Sequence, residues 1–415
     1  MSKHNNLQNS PKVIVIDLDH INGLQTARIF YERNIPVIGI AKNLGHYCAS
    51  TRVCEKIIKA DTTNHELVDT LLKLAPEFTQ KPVLVPCQDM SVLNISRNRN
   101  TLENIYNIAL PAPETVEMLM NKPAFYKFAK EANLSIPSYF LLHNRVDAVE
   151  ASEKLNFPCI LKPPIRSVLW EANTKQKAFK IFSREDFLKM YDKCSTWSDT
   201  LMAQEWIMGD DTSLYSCNCY FNKQNKPLVT FTAKKLRQWP TETGNTSLGI
   251  ECRAPEVEQE TIKLFEKVNY FGLGYLEMKK DSRSGKYFII EPNIGRPTGR
   301  SALAEASGVE LLYTMYCDLV GKKLPEEVTQ KYEGVKWIQL RTDLMSAFSY
   351  WRRGELSIRE WLRSVSGKKM FAVLSLKDPL PFINELKFGI KYLLSRMLIK
   401  IKEKSPEKNY ANNSN

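Results

Sequence analysis

An α/β unit with an open parallel sheet, followed by α+β units built on antiparallel hairpins and then a mainly helical basic extension, is what this 415-residue sequence predicts. Three observations carry that reading. Apolar strands alternate with helix-spaced segments over residues 11 to 112, the rhythm of βαβ units. Further on, period-two strands separated by polar turns take over. Finally, +9 of the net charge of +12 falls after residue 330, where seventeen Lys/Arg meet eight Asp/Glu.

In chain order, "KVIVIDL" (12–18) predicts a first strand, "DHINGLQTARIFYERN" a helix and "IPVIGI" a second strand. The helix "HELVDTLLKLAPEF" and the strand "PVLVPCQD" continue the pattern. Ligands of such sheets bind at the carboxyl ends of strands, where Asp17, Asp19 and Asp89 would stand. G-x-G-x-x-G is absent, so no dinucleotide site is expected. "LPAPE" (110–114) reads as a linker, after which "TVEMLMNKPAFYKFAKEANLSIP" splits into two helices at Asn121-Lys122-Pro123. Strands at "PCILKP", "AFKIF" and "LMAQEWI" follow, with the helix "REDFLKMYDKC" between the last two. "SLYSCNCYF" and "PLVTFTAKKLRQ" predict an antiparallel pair, and "GYLEMKKDSRSGKYFIIEPN" a hairpin turning at "DSRSG".

Composition narrows the function classes. With 43% hydrophobic and 25% charged residues the chain is globular, and its length predicts two to four units. The polar start "MSKHNNLQNSPK" lacks the apolar stretch of a secretory signal. No apolar run approaches the ~18 residues of a spanning helix. Nine scattered cysteines predict reduced thiols and a cytoplasmic protein, not a disulfide framework. Because the basicity is concentrated in the tail with no recognition motif, nucleic acid is not the expected partner.

The chemistry concentrates in "YFIIEPNIGRPTGRS" (287–301) and its hairpin partner. Glu277, Glu291 and Asn293 would place two carboxylates and an amide on paired strands, an oxygen-only set suited to Mg²⁺. The plain alternative is a solvated hairpin whose acids pair with Lys279 or Arg296, and spacing alone leaves the two readings level. Lys162 ends an apolar strand ahead of a double proline, so rigid backbone would present its ammonium. In "QEWIMGDD", strand-end peptide groups could meet a base edge, and the carboxylate of Asp211 could accept from ribose hydroxyls.

The ordered set "NK" (121–122), "ILKP" (160–163), "QEWIMGDD" (204–211), "GYLEMK" (274–279) and "EPNIGR" (291–296) resembles the ATP-grasp superfamily. More narrowly it resembles the carboxylate–amine ligases related to D-aspartate ligase and to the carbamoyl-phosphate synthetase nucleotide domain. The resemblance covers roughly residues 11 to 322. It implies a Rossmann-like preATP-grasp domain (11–112), an N-terminal ATP-grasp lobe (113–200), a C-terminal lobe with the metal site (201–322) and an extension (323–415). By the same resemblance Lys122 and Lys162 contact nucleotide phosphates, Gln204 accepts from adenine, Glu205 and Ile207 supply hinge backbone, and Asp211 binds ribose. Glu277, Glu291 and Asn293 become metal ligands. Arg296 or Arg300 steadies the acyl phosphate, and Lys235 and Arg237, on a loop over the site, touch the γ-phosphate or the acceptor; a basic solvated hairpin end is the alternative for that loop. There are two departures. "PPIRSVLWEANTKQKAFK" contains no glycine where relatives have a glycine-rich flap, and the arginine follows Asn293 by three residues, one more than is common.

The implied function is an ATP- and Mg²⁺-dependent ligase, with Mn²⁺ as an alternative metal, that joins a small-molecule carboxylate to a small-molecule amine through an acyl phosphate. A non-catalytic nucleotide-binding regulator or membrane adaptor on the same fold is the alternative. In the tail, "INELKFGIKYLLSRMLIKIKEK" (383–404) puts Leu386, Ile390, Leu393, Leu394, Met397 and Ile401 on one helical stripe flanked by cations. That stripe either packs on the protein body or meets the anionic inner face of a membrane.

Overall fold

The computed structural model describes residues 10–164, 167–326 and 328–390. The first sheet holds β1 (Val13–Ile16), β2 (Val37–Ala41), β3 (Lys56–Lys59), β4 (Val83–Val85) and β5 (Asn107–Ile108), all parallel in the order β3-β2-β1-β4-β5. Its alternate residues enter two different cores: Val13 and Val15 lie in one, Ile14 and Ile16 in the other. Coverage on both faces is why these strands are continuously apolar. β3 and β5 escape a reading by apolar runs because "KIIK" and "NI" are short and only half-buried at best.

A second, four-stranded antiparallel sheet follows, with β6 (Tyr139–Leu142), β7 (Cys159–Lys162), β8 (Phe179–Ile181) and β9 (Leu201–Glu205) in the order β6-β9-β7-β8. It has its own core around Leu161, Trp170, Phe187 and Ala203. Before it, the stretch read as a linker already starts a helix at Pro113, and the next helix, Lys122–Glu131, is capped by Asn121, whose side chain accepts from the Ala124 amide at 3.1 Å.

The largest sheet comprises β10 (Leu214–Phe221), β11 (Pro227–Trp239), β12 (Asn245–Glu251), β13 (Gly272–Lys280), β14 (Tyr287–Ile294), β15 (Lys336–Ile338) and β16 (Lys369–Phe371). The order is β14-β13-β10-β11-β12-β15-β16, antiparallel apart from the β15–β16 pair. Both cores of the first sheet run on into this one, through Tyr220, Phe231 and Leu273 on one side and Cys219, Phe221 and Leu276 on the other. The extension is thus more than helices, since β15 and β16 continue the sheet. Helices Leu340–Arg352 and Ile358–Val365 lie between those strands in sequence, and residues 380–390 are helical. Of the tail stripe, Leu386 and Ile390 are exposed, while Leu393, Leu394, Met397 and Ile401 lie outside the described residues. No helix among the described residues is long and apolar enough to cross a membrane.

Candidate active site

The antiparallel register of β13 and β14 sets Glu277 directly opposite Glu291 and Tyr275 opposite Asn293. Opposed residues share a face, so one patch of sheet collects two carboxylates, an amide and a phenol. That patch floors a cavity of about 530 Å³ between the second and third sheets, within the usual size range of ligand sites. Lys122, Lys162, Gln204 and Ile207 line it from the second sheet and the adjoining helix, and His20 and Gln88 from the first sheet.

Glu277 is buried between two cations. Lys235 donates from Nζ to Oε1 at 3.1 Å, and Arg300 donates from Nη2 to Oε2 at 2.7 Å. Burial alone would raise this carboxyl's pKa, but Lys235 and Arg300 hold it below its usual value. Arg300 also donates to Thr246 Oγ1 at 3.0 Å. It can do so because Thr298 and Ser301 form a capping box that starts the helix Gly299–Ala306 just before it. Arg296 reaches the other way, donating to Asn293 Oδ1 at 2.6 Å and pairing with Asp89. Glu291 has the less engaged carboxylate, accepting from Asn293 Nδ2 at 3.4 Å.

Across the cavity, Lys162 at the end of β7 donates to Gln204 Oε1 at 2.8 Å. Burial, and then the like charge of Lys122, push its pKa down to about 7 against the pull of Glu291. Ile160, Ile207, Leu214 and Ile290 add apolar lining beside Trp206, whose ring has the Lys180 and Lys279 ammonium groups 4.3 and 4.8 Å from its centre. The Glu205 side chain turns to Arg283, at 3.0 Å, although the residue borders the cavity.

Two expected site residues are placed elsewhere. Asp211 is buried and does not line the cavity. Its carboxylate accepts from the Gln238 amide N–H at 3.1 Å, from Gln238 Nε2 at 2.6 Å and from the Tyr350 hydroxyl, so ribose hydroxyls would have to displace those donors. Glu242 joins Glu205, Glu277 and Glu291 in lining the cavity, near Lys279. Arg237 also turns away, donating to both oxygens of Asp343 at 2.8 and 2.9 Å. The cause is a bulge. Lys235 pairs with Gly249 but Arg237 with Leu248, so the two-residue alternation breaks and Lys235 and Gln238 face the cavity in its place. The segment expected to be a loop over the site is thus mostly strand, with residues 240–244 turning at the cavity edge.

Reading the sequence around the hairpin alone also missed His20, Gln238, Tyr275, Thr246 and Thr298, all of which line the cavity. His20 follows the first strand at its carboxyl end, the position the open-sheet rule singles out. Its Nδ1 accepts from the Asn22 amide at 3.3 Å. Desolvation by the surrounding protein, then Arg296 and His46, lower its pKa to about 4, although much of the side chain stays exposed. With Nδ1 accepting from the Asn22 amide, a neutral ring would carry its proton on Nε2, as a hydrogen-bond donor.

No family model matches the chain. Among curated proteins it is 26% identical over 249 residues to a D-aspartate ligase of Enterococcus faecium (strain Aus0004), an alignment that spans 57% of this chain and only 58% of that enzyme. Among solved structures it is similar to the N5-carboxyaminoimidazole synthetase of Staphylococcus aureus, with a TM-score of 0.60 at 14% identity over 77% of this chain and 80% of that one. A biotin carboxylase of Campylobacter jejuni gives 0.61 at 14% identity, covering 79% and 74%. Phosphoribosylglycinamide synthetase of Anaerococcus prevotii gives 0.58 at 16%, covering 76% of each chain. The chain thus has the ATP-grasp fold and resembles, in sequence, the carboxylate–amine ligase branch of that superfamily.

Proposed function

We propose that the protein is an ATP- and Mg²⁺-dependent ligase that joins a carboxylate to an amine through an acyl phosphate. The observation that carries this is the cross-strand pair Glu277 and Glu291 with Asn293, facing Lys122 and Lys162 across one cavity. The D-aspartate ligase relative and the nucleotide-bound neighbours, one of them a carboxylase domain with MgADP, support it.

The donors fit a hard cation. They are oxygens on adjacent strands, with Glu291 the freer acid, and no group of three His, Cys, Asp or Glu among the described residues would cage a metal alone. That suits Mg²⁺ completed by nucleotide phosphates, and such an ion would neutralise phosphate charge during transfer. Lys122 and Lys162 hold phosphate oxygens, and Lys235 steadies the transferring γ-phosphoryl group. Adenine lies along Ile160, Ile207 and Leu214 near Gln204, with the Glu205–Ile207 backbone at its edge. A carboxylate oxygen of the first substrate attacks the γ-phosphorus and ADP leaves. The amine nitrogen of the second then attacks the acyl carbon, inorganic phosphate departs and the nitrogen loses a proton. Arg296 and Arg300 meet the negative charge that builds on the acyl phosphate and tetrahedral intermediate, so catalysis is chiefly positioning and electrostatics.

Hydroxylamine trapping tests the reading. Incubating the protein with ATP, Mg²⁺, hydroxylamine and a pool of small carboxylates should yield a hydroxamate together with ADP. ATP binding without hydroxamate or ADP, whatever carboxylate and amine are supplied, would favour a non-catalytic nucleotide-binding role.

A further inference from the structure

The helix Leu340–Arg352 is turned inside out relative to an ordinary surface helix. Its inward stripe is polar: Asp343 is fully buried and binds Arg237, Ser346 donates to the Gln238 carbonyl at 2.9 Å, and Tyr350 donates to Asp211. Its outward stripe is apolar, with Leu344, Phe348 and Trp351 at helical spacing and 47%, 57% and 53% exposed. The Phe348 and Trp351 rings are 5.7 Å apart, so the outer surface is continuous. The next helix, Ile358–Val365, buries no residue fully. It is tied to the first through Trp361, whose Nε1 donates to Asp343 at 3.0 Å, and it leaves Ile358 and Leu362 exposed. An exposed apolar surface spread over two adjoining helices calls for a partner.

Charge identifies the partner's chemistry. Residues 340–369 hold seven Lys/Arg against three Asp/Glu, and none of the three acids is free. Asp343 is buried with Arg237, Glu355 pairs with Arg353 at 3.1 Å, and Glu360 caps its own helix by accepting from the Ser357 amide at 2.8 Å. Arg352, Arg359 and Arg363 are exposed and form no ion pair among the described residues. A second copy of this face would meet it with like charge. So would residues 391–415, with six Lys/Arg against two Glu. Exposed aromatic and aliphatic side chains that share two helices with unpaired arginines match the boundary of an anionic bilayer, where the arginines find lipid phosphates and the apolar groups enter the headgroup region.

We propose that the outward face of helices Leu340–Arg352 and Ile358–Val365 docks the protein peripherally on an anionic lipid surface. This does not depend on the ligase reading. The test is co-sedimentation of the full chain with vesicles of phosphatidylcholine alone or mixed with phosphatidylglycerol, at low and high salt. Wild type should sediment only with the anionic vesicles and be released by salt. Phe348→Ser/Trp351→Ser/Leu362→Ser, and separately Arg352→Gln/Arg359→Gln/Arg363→Gln, should each weaken binding about tenfold or more without lowering the melting temperature, since all six side chains are exposed. Should the first variant unfold, the second decides. Three results would overturn the proposal: wild type remaining in the supernatant with both vesicle types, which leaves the face to a protein partner; variants binding as wild type does, which assigns binding to residues 391–415; or a wild-type dimer that the apolar variant makes monomeric.

Discussion

Lys162 combines two opposing requirements. In the proposed function it presents a cation to phosphate, yet burial and Lys122 bring its pKa down to about 7, so near neutrality it is only partly charged. Phosphate binding would favour the protonated form, which predominates well below pH 7 and is lost as pH rises through that value. The affinity ratio of Lys162→Arg to wild type for ATP should therefore grow about tenfold between pH ~6 and ~8, because arginine stays charged and the comparison cancels the nucleotide's own titration. A flat ratio would contradict either the lowered pKa or the contact with the phosphates. The type and strand-end position of Lys162 were legible in the sequence, but its partner was not. Gln204 becomes a neighbour only through the β7–β9 pairing, and His20 reaches the vicinity of Arg296 only when the first and third sheets pack together.

At the scale of elements, the bulge in β11 decides which cations serve the cavity. Strict alternation would put Lys235 and Arg237 on one face, and the sequence reading assigned both to the site on family position. The extra residue sends Arg237 to Asp343 instead. Bulges leave little trace in composition, whereas the unbroken apolar strands β1, β2 and β4 and the hairpin of β13 with β14 were readable from pattern alone. The ion pair that results is buried on both sides. Arg237→Ala should cost about 3–5 kcal/mol in urea unfolding by leaving Asp343 uncompensated, and adding Asp343→Ala should restore part of the loss. Full ATP affinity in a folded Arg237→Ala protein would accompany this. A specific loss of ATP affinity with unchanged stability would return Arg237 to the site.

For the whole molecule, two cores each span the first and third sheets, while the second sheet has a core of its own. The cavity lies where these bodies meet, so the proposed metal ligands come from the third sheet, Lys162 from the second, Lys122 from the adjoining helix and His20 from the end of a first-sheet strand. The order of motifs made this architecture legible. The contribution of β15 and β16 was hidden, because three-residue strands gain their identity only from distant neighbours. The central claim is that the floor of this cavity holds the metal for phosphoryl transfer, and Glu291→Gln tests it most directly. With a carboxylate and amine pool that supports turnover in wild type, Mg²⁺-dependent ADP release should vanish in Glu291→Gln while its melting temperature stays unchanged, since Glu291 is only partly buried and weakly engaged. Undiminished Mg²⁺-dependent ADP release by that variant would contradict the account.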